Sequence, residues 1–389
     1  MAFDFDKVVD RKNTFAAKMA TELVGASDDV LPLWVADMDF PTAPYVIKAM
    51  QENADFGIFG YAQPNDDYFD PIIKWMKKNF DWTVNASECT YTPGVVPAIN
   101  VAVRAFTEPG DAVIIQTPVY FPFLMTINGT GRKMVTSDLI NKDGKGYYEI
   151  DFDDFEKKII DNDVKLFILC SPHNPVGRVW TKDELTRMGE ICLKHGVVVV
   201  ADEIHMDFVF SDHKHTVFAT LSDEFDNIAI TCTAPSKTFN LAGLGNSNIF
   251  IRNKDMLARF NKEYENVGMP HMGQPGLIAC KAAYEGGQEW LDELRVYLKG
   301  NIDLIAEYAE KWDGIHYTKP EGTYLSWFDC SEIAKTDAEL DDLFLNKAKV
   351  WLNLGSPFGS GGEGHVRMNA ASPRSVIKEG LDRITAALG

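Results

Sequence analysis

Asn227-Ile-Ala-Ile-Thr-Cys232 runs straight into Thr233-Ala-Pro-Ser236-Lys237. Five β-branched or small positions after Asn227, closed by a proline and a lysine, describe a short strand buried on both faces that ends in a tight turn. The same grammar recurs upstream. Asp111-Ala-Val-Ile-Ile115 leads to Thr117-Pro-Val-Tyr120. Lys165-Leu-Phe-Ile-Leu-Cys170 leads to Ser171-Pro-His-Asn174-Pro. Gly196-Val-Val-Val-Val200 leads to Ala201-Asp202-Glu-Ile-His205. Amphipathic segments separate these runs, one of them announced by a capping box of Thr181 and Glu184 before a helix expected to reach about His195. Buried strands alternating with helices predict an α/β fold: a mainly parallel sheet with helices on both faces.

That texture spans residues 46–284 and predicts one large domain. Beyond it the pattern changes to a long amphipathic helix over 290–312, a strand at 323–329, a helix at 338–349, a strand at 365–369 and a closing helix at 375–388. Residues 285–389, joined by the weakly periodic arm 1–45, predict a smaller α+β domain. A chain of 389 residues allows about two to three domains. Folding buries about three quarters of its surface, so no covalent staples are needed.

Lys and Arg number 38 against 57 Asp and Glu, a net charge of −19. So acidic a surface repels nucleic-acid backbones and anionic membranes, and an anionic substrate needs a local cation. The six cysteines form no CxxC pair and sit mostly in apolar runs, which fits a reducing cytoplasm. Neither a signal peptide nor a membrane span is expected. The pair His213 and His215 has no third ligand at a metal-motif spacing and reads as a solvated turn, so no metal is expected. Gly359-Ser-Gly361-Gly-Glu-Gly364 matches GxGxxG in letters but precedes a strand, which argues for a mobile loop rather than a dinucleotide site.

In an open parallel sheet the loops at the carboxyl ends of the strands share one rim, where ligands bind. Four strands thus deliver Tyr120, Asn174, Asp202 and Lys237 to one edge. Thr92-Pro-Gly94-Val-Val-Pro97 adds a helix start that presents free N–H groups to an anion. Taken singly, each residue has an ordinary structural explanation: a surface lysine, a turn aspartate, an Asn-Pro turn, a packed tyrosine. Taken together, a stacking ring, an amide, a carboxylate, an anion cradle and an amine are the set that pyridoxal phosphate (PLP) requires.

Longer motifs carry a resemblance. Leu33-Trp-Val-Ala-Asp-Met-Asp-Phe-Pro41, Ser171-Pro-His-Asn-Pro-Val-Gly-Arg178, Ala201-Asp-Glu-Ile-His205 and Ala234-Pro-Ser-Lys-Thr-Phe-Asn-Leu-Ala-Gly243, supported by Pro320-Glu-Gly-Thr-Tyr324 and His365-Val-Arg-Met-Asn369, resemble fold type I PLP enzymes of the class I/II aminotransferase group. Within that group the chain is similar to the MalY/PatB branch of carbon–sulfur β-lyases. The resemblance implies a PLP-dependent transferase-like fold and the cleavage of cystathionine and related S-substituted cysteines to a thiol, pyruvate and ammonia. Aminotransfer on an amino acid is the alternative, since it shares every step up to the Cα carbanion. A ligand-sensing regulator built on the same fold is disfavoured by the chain's acidity.

The resemblance also implies roles. Lys237 would link to the cofactor and then act as the base at Cα. Asp202 would pair with the ring nitrogen, Asn174 would reach the phenolic oxygen and the substrate carboxylate, and Tyr120 would stack on the ring. N–H groups of Val95 and Val96 would cradle the phosphate. Tyr61 would reach the phosphate of a partner subunit, implying a homodimer. Arg367 would grip the substrate α-carboxylate. Three positions depart from the broader group: Ala234 stands where a phosphate-binding serine is usual, Gly245 where an arginine is, and His205 where a tyrosine is. Thr233 or Ser236 would take over from the missing serine, and His205 would either bond the phenolic oxygen or only pack.

Overall fold

The computed structural model describes every residue except Met1, Asp143, Lys145, Ser211, Asp212, Pro270 and His271. The apolar runs become a seven-stranded sheet of β1 (Cys89–Thr92), β2 (Ala112–Ile115), β3 (Lys133–Thr136), β4 (Leu166–Cys170), β5 (Val198–Asp202), β6 (Ala229–Thr233) and β7 (Ser247–Phe250). Their order across the sheet is β1-β7-β6-β5-β4-β2-β3. Pairings from β6 through β3 are parallel, and β7 runs against both of its neighbours. The expected mainly parallel sheet is present, each expected strand starting within two residues of its place.

These strands are continuous apolar runs because both of their faces are covered. Phe167 and Leu169 of β4 join one core with Phe155, Leu185 and Met188. Leu166, Ile168 and Cys170 point the other way, into a second core with Val95, Ile99 and Phe260. The sheet is therefore the middle of three layers, with helices Lys182–His195 on one side and Val95–Phe106 on the other. Helix Lys182–His195 begins at the expected box: Thr181 accepts from the Glu184 N–H, and the Glu184 carboxylate accepts from the Thr181 N–H. Such a cap contributes about 1 kcal/mol. The helix packs so closely that a Cβ on Gly189 would lie 2.5 Å from the Phe225 ring.

A second, antiparallel sheet follows: β8 (His316–Thr318), β9 (Leu325–Asp329), β10 (Asn353–Leu354) and β11 (His365–Asn369), ordered β8-β9-β11-β10. The N-terminal arm ties to this part of the chain, because Leu31 and Pro32 pair with Val350 and Trp351. The helix expected at 338–349 is instead an α-helical turn, Asp337–Asp341, that widens into a π-helix, Asp342–Lys347. The glycine-rich stretch is packed rather than free. A Cβ on Gly362 would lie 2.1 Å from the Gly355 carbonyl oxygen, and the Val119 N–H donates to Phe358 O at 2.9 Å.

Of the two histidines expected in a solvated turn, His213 is exposed but His215 is not. His215 is buried, its Nε2 lying 2.9 Å from the buried carboxylate of Glu203. A solvated turn was expected because the pairing partner lies a strand end away, outside the local pattern. Among the described residues no cluster could hold a metal ion, and no helix is long and apolar enough to cross a membrane.

Candidate active site

Register fixes the site. Cys170 of β4 stands beside Asp202 of β5, which stands beside Cys232 of β6. The three parallel strands therefore finish level, and their loops open onto one rim. After β4, the chain turns at Ser171–Pro172 and the Asn174 N–H points back to Cys170 Sγ. After β6, the single helical turn Pro235–Thr238 lifts Ser236 and Lys237 above the sheet edge. From the far side β1 returns, laced to β7 through Thr92 and Ser247, whose hydroxyls lie 2.6 Å apart. Helix Val95–Phe106 then starts at the same rim, where its first N–H groups lack intrahelical acceptors.

These ends enclose a cavity of about 190 Å³. Val95, Val96, Tyr120, Asn174, Asp202, His205, Ser236 and Lys237 all line it. Ser236 rather than Thr233 faces the cavity; the Thr233 hydroxyl donates to Asn248 O at 3.2 Å within the sheet. Two expected residues lie outside the wall. Tyr61 is fully exposed and does not line the cavity of its own chain. Arg367, on β11, reaches in from behind Asn174, whose Oδ1 accepts from Arg367 Nη1 at 2.9 Å.

Burial sets the charges. The Lys237 amine is lowered to about 8, first by desolvation and then by Arg367, while Asp37 and Asp202 pull it upward. The Asp202 carboxyl is raised to about 7 by burial, partly offset by the Ile204 N–H on Oδ1 and by Lys237. Burial, with Lys237 and Arg367 nearby, drives His205 well below the ordinary imidazole range, so its ring is neutral. Its Nδ1 is buried without a hydrogen-bond partner.

Arg367 is lowered to about 10 by burial, opposed by the Tyr120 and Tyr324 hydroxyls. Its acceptors are Asn174 Oδ1, Asn353 Oδ1 at 2.6 Å and Trp34 O at 3.3 Å. None is a carboxylate, and Nε has no partner. A buried cation with spare donors is costly unless a ligand anion completes it.

The segment Trp34 to Phe40, which the resemblance implies lines the pocket, does so at Ala36, whose carbonyl accepts from Lys237 Nζ at 2.6 Å and from the Tyr324 hydroxyl at 3.1 Å. The motif around Ala36 was visible as part of a resemblance, but a backbone acceptor has no side-chain signature.

The residues present fit PLP. A buried carboxyl held near neutrality suits a protonated ring nitrogen, unpaired helix-start N–H groups suit a phosphate, and an amine with a lowered pKa suits an aldehyde. The comparisons agree. A family model described as "Aminotransferase class I and II" matches residues 28–384. The chain is 44% identical over 388 residues to cystathionine beta-lyase PatB of Bacillus subtilis, covering 99% of this chain and 100% of that one. Cystalysin from Treponema denticola, solved with a pyridoxal 5′-phosphate cofactor, is 39% identical with a TM-score of 0.96, covering 100% of this chain and 99% of that one. The PLP-bound C–S lyase from Staphylococcus hominis is 34% identical with a TM-score of 0.92, covering 99% and 98%.

Proposed function

Since the chain belongs to the class I and II aminotransferase family, we propose that it is a PLP-dependent carbon–sulfur β-lyase. It cleaves cystathionine and related S-substituted cysteines, releasing a thiol, pyruvate and ammonia. The observation that carries this reading is Arg367, a buried guanidinium beside Asn174 with no protein carboxylate among its acceptors. An α-amino acid supplies the missing anion.

When bound, PLP supplies a protonated, electron-withdrawing ring conjugated to the substrate nitrogen, which disperses the electron pair left at Cα. The chain's own residues do the rest. Val95, Val96 and Ser236 would hold the phosphate, Tyr120 would pack against the ring, and Asp202 would pair with the ring nitrogen. Asn174 would serve the phenolic oxygen, with the neutral His205 beside it. Arg367 would bind the substrate carboxylate and so orient the substrate at Cα. Lys237, its amine lowered toward neutrality by burial, takes the Cα proton onto Nζ. The Cβ–S bond then breaks with its electron pair leaving on sulfur. Water completes the release of pyruvate and ammonia.

Three further readings belong to this proposal. The chain divides into a large domain, 46–284, and a small one, 1–45 with 285–389, a reading supported by the pairing of the arm with Val350 and Trp351. It works as a homodimer in which Tyr61 serves the partner's phosphate; the exposed Phe56, Ile58 and Phe59 just before it in the chain support that. It acts in the cytoplasm, a reading supported by six free cysteines, five of them buried. The test of the activity is incubation of the holoenzyme with cystathionine. Pyruvate formed without an added keto acid supports the lyase; product formed only with 2-oxoglutarate, as glutamate, replaces it with an aminotransferase.

A further inference from the structure

The segment from Trp34 to Phe40 is strapped across the cavity by side chains from every quarter of the site. Arg367 Nη2 donates to Trp34 O at 3.3 Å, and Asn369 Nδ2 donates to Val35 O at 2.7 Å and Asp37 O at 2.6 Å. Lys237 and Tyr324 share Ala36 O. Asn240 Nδ2 donates to Met38 O and Phe40 O, at 2.9 and 3.0 Å. The strap's two carboxylates pair with cations of the N-terminal arm. Arg11 bridges Asp37 at 2.6 Å and Asp39 at 2.7 Å. The fully buried Lys18 lies 2.7 Å from Asp39 but 3.9 Å from Asp37.

The two aspartates are thus unequal. Asp39 is saturated: both oxygens are paired, one of them also accepting from the Ser372 hydroxyl at 2.5 Å. Asp37 is not: its Oδ1 is buried without a hydrogen bond. Asp37 also follows directly on the carbonyl that Lys237 uses.

We propose that Asp37 is a positioning residue for Lys237: it holds the amine's carbonyl acceptor in place and turns a half-neutralised negative charge toward the amine, while Arg11 and Lys18 of the N-terminal arm set how much of that charge the amine feels. The charged groups facing Lys237 bear this out in sign. Arg367 pushes the amine toward neutrality, and Asp37 and Asp202 oppose it. His205 and Tyr324, also close by, are held neutral by burial. The arm therefore helps tune the base as well as closing the fold.

This inference rests on the lyase reading, but its test does not depend on it. The visible absorbance of the holoenzyme titrates with the charge on the Lys237 nitrogen, whatever the substrate. Asp37→Asn removes the negative charge and should move the titration midpoint, and the acid limb of kcat, down by about one on the pH scale. Arg11→Gln uncovers Asp37 and should move both upward. Asp37→Glu should restore the wild-type midpoint. Asp39→Asn should lower thermal stability and leave the midpoint in place. A midpoint unmoved by Asp37→Asn, or moved in the same direction by Asp37→Asn and Arg11→Gln, overturns the proposal and leaves Asp37 a mere pin for the arm. If the wild-type enzyme fails to cleave cystathionine, the lyase reading falls, and the absorbance midpoints still decide the role of Asp37.

Discussion

Arg367 Nη1 donates to Asn174 Oδ1 at 2.9 Å, joining the antiparallel sheet to the rim of the parallel one across 193 residues of chain. The guanidinium, its Cζ 4.9 Å from the centre of the Phe358 ring, is oriented by neutral acceptors alone. The replacement Arg367→Lys keeps the charge and loses the fork. It should lower kcat/KM for cystathionine about tenfold or more, on the scale of one charged hydrogen bond. Cofactor absorbance should be unchanged. Steady-state kinetics with a parallel spectrum check this, and a loss of cofactor with normal turnover in the remaining holoenzyme would assign Arg367 to the fold instead.

Lys237 is the only lysine expected to bond the cofactor covalently. In Lys237→Ala the purified protein should lose its visible band and nearly all elimination of pyruvate. Wild-type rates in that variant would sink the assignment of the base.

Asp202 makes stability depend on pH in a direction opposite to that of a salt-bridged aspartate. Its folded value, about 7, lies above its ordinary 3.8. At low pH the carboxyl is neutral in both folded and unfolded chains and contributes nothing by this route. As pH climbs from about 4 to about 7 the unfolded chain ionises first and the native state loses ground. Asp202→Asn should therefore raise the melting temperature of the cofactor-free protein at pH 8, with the gain vanishing toward pH 4. An equal gain at both pH values, read by scanning calorimetry, would refute this.

Breaking the buried Glu203–His215 pair leaves a carboxylate supported by one Phe218 N–H at 2.9 Å. His215→Ala should cost about 3 kcal/mol of unfolding free energy. His215→Gln, which retains a donor, should recover part of it. Urea unfolding of the two variants is the measurement, and equal stabilities would show that the pair contributes little.

Tyr61 tests the assembly. Sedimentation should give a dimer at working concentration, and Tyr61→Phe should weaken cofactor retention about tenfold, the size of one hydrogen bond to a charged group. A fully active monomer would contradict the role given to Tyr61.

What the sequence made legible follows from what is local. Val113 to Ile115, Phe167 to Cys170 and Ile230 to Cys232 are buried on both faces, so each wrote its own uninterrupted apolar signature. Asp202 and Lys237 could be placed because they follow such runs directly. Strand β7 was not legible: Ser247 and Asn248 are buried polar residues whose partners, Thr92 and Tyr68, lie more than 150 residues upstream. His215 looked solvent-facing for the same reason, since its hydrogen-bond partner sits on another element. Residues 338–349 read as one helix, where the structure has an α-helical turn followed by a π-helix.

The link between Thr92 and Ser247, 155 positions apart, has a bearing on birth rather than on catalysis. A chain emerging from the ribosome holds the start of helix Val95–Phe106 long before it holds Ser236, Lys237 and the strand that pins that start in place. Arg367 emerges later still. Cofactor capture therefore belongs to the end of synthesis, and a nascent chain stalled before β7 exposes two unfinished cores with no ligand to close them.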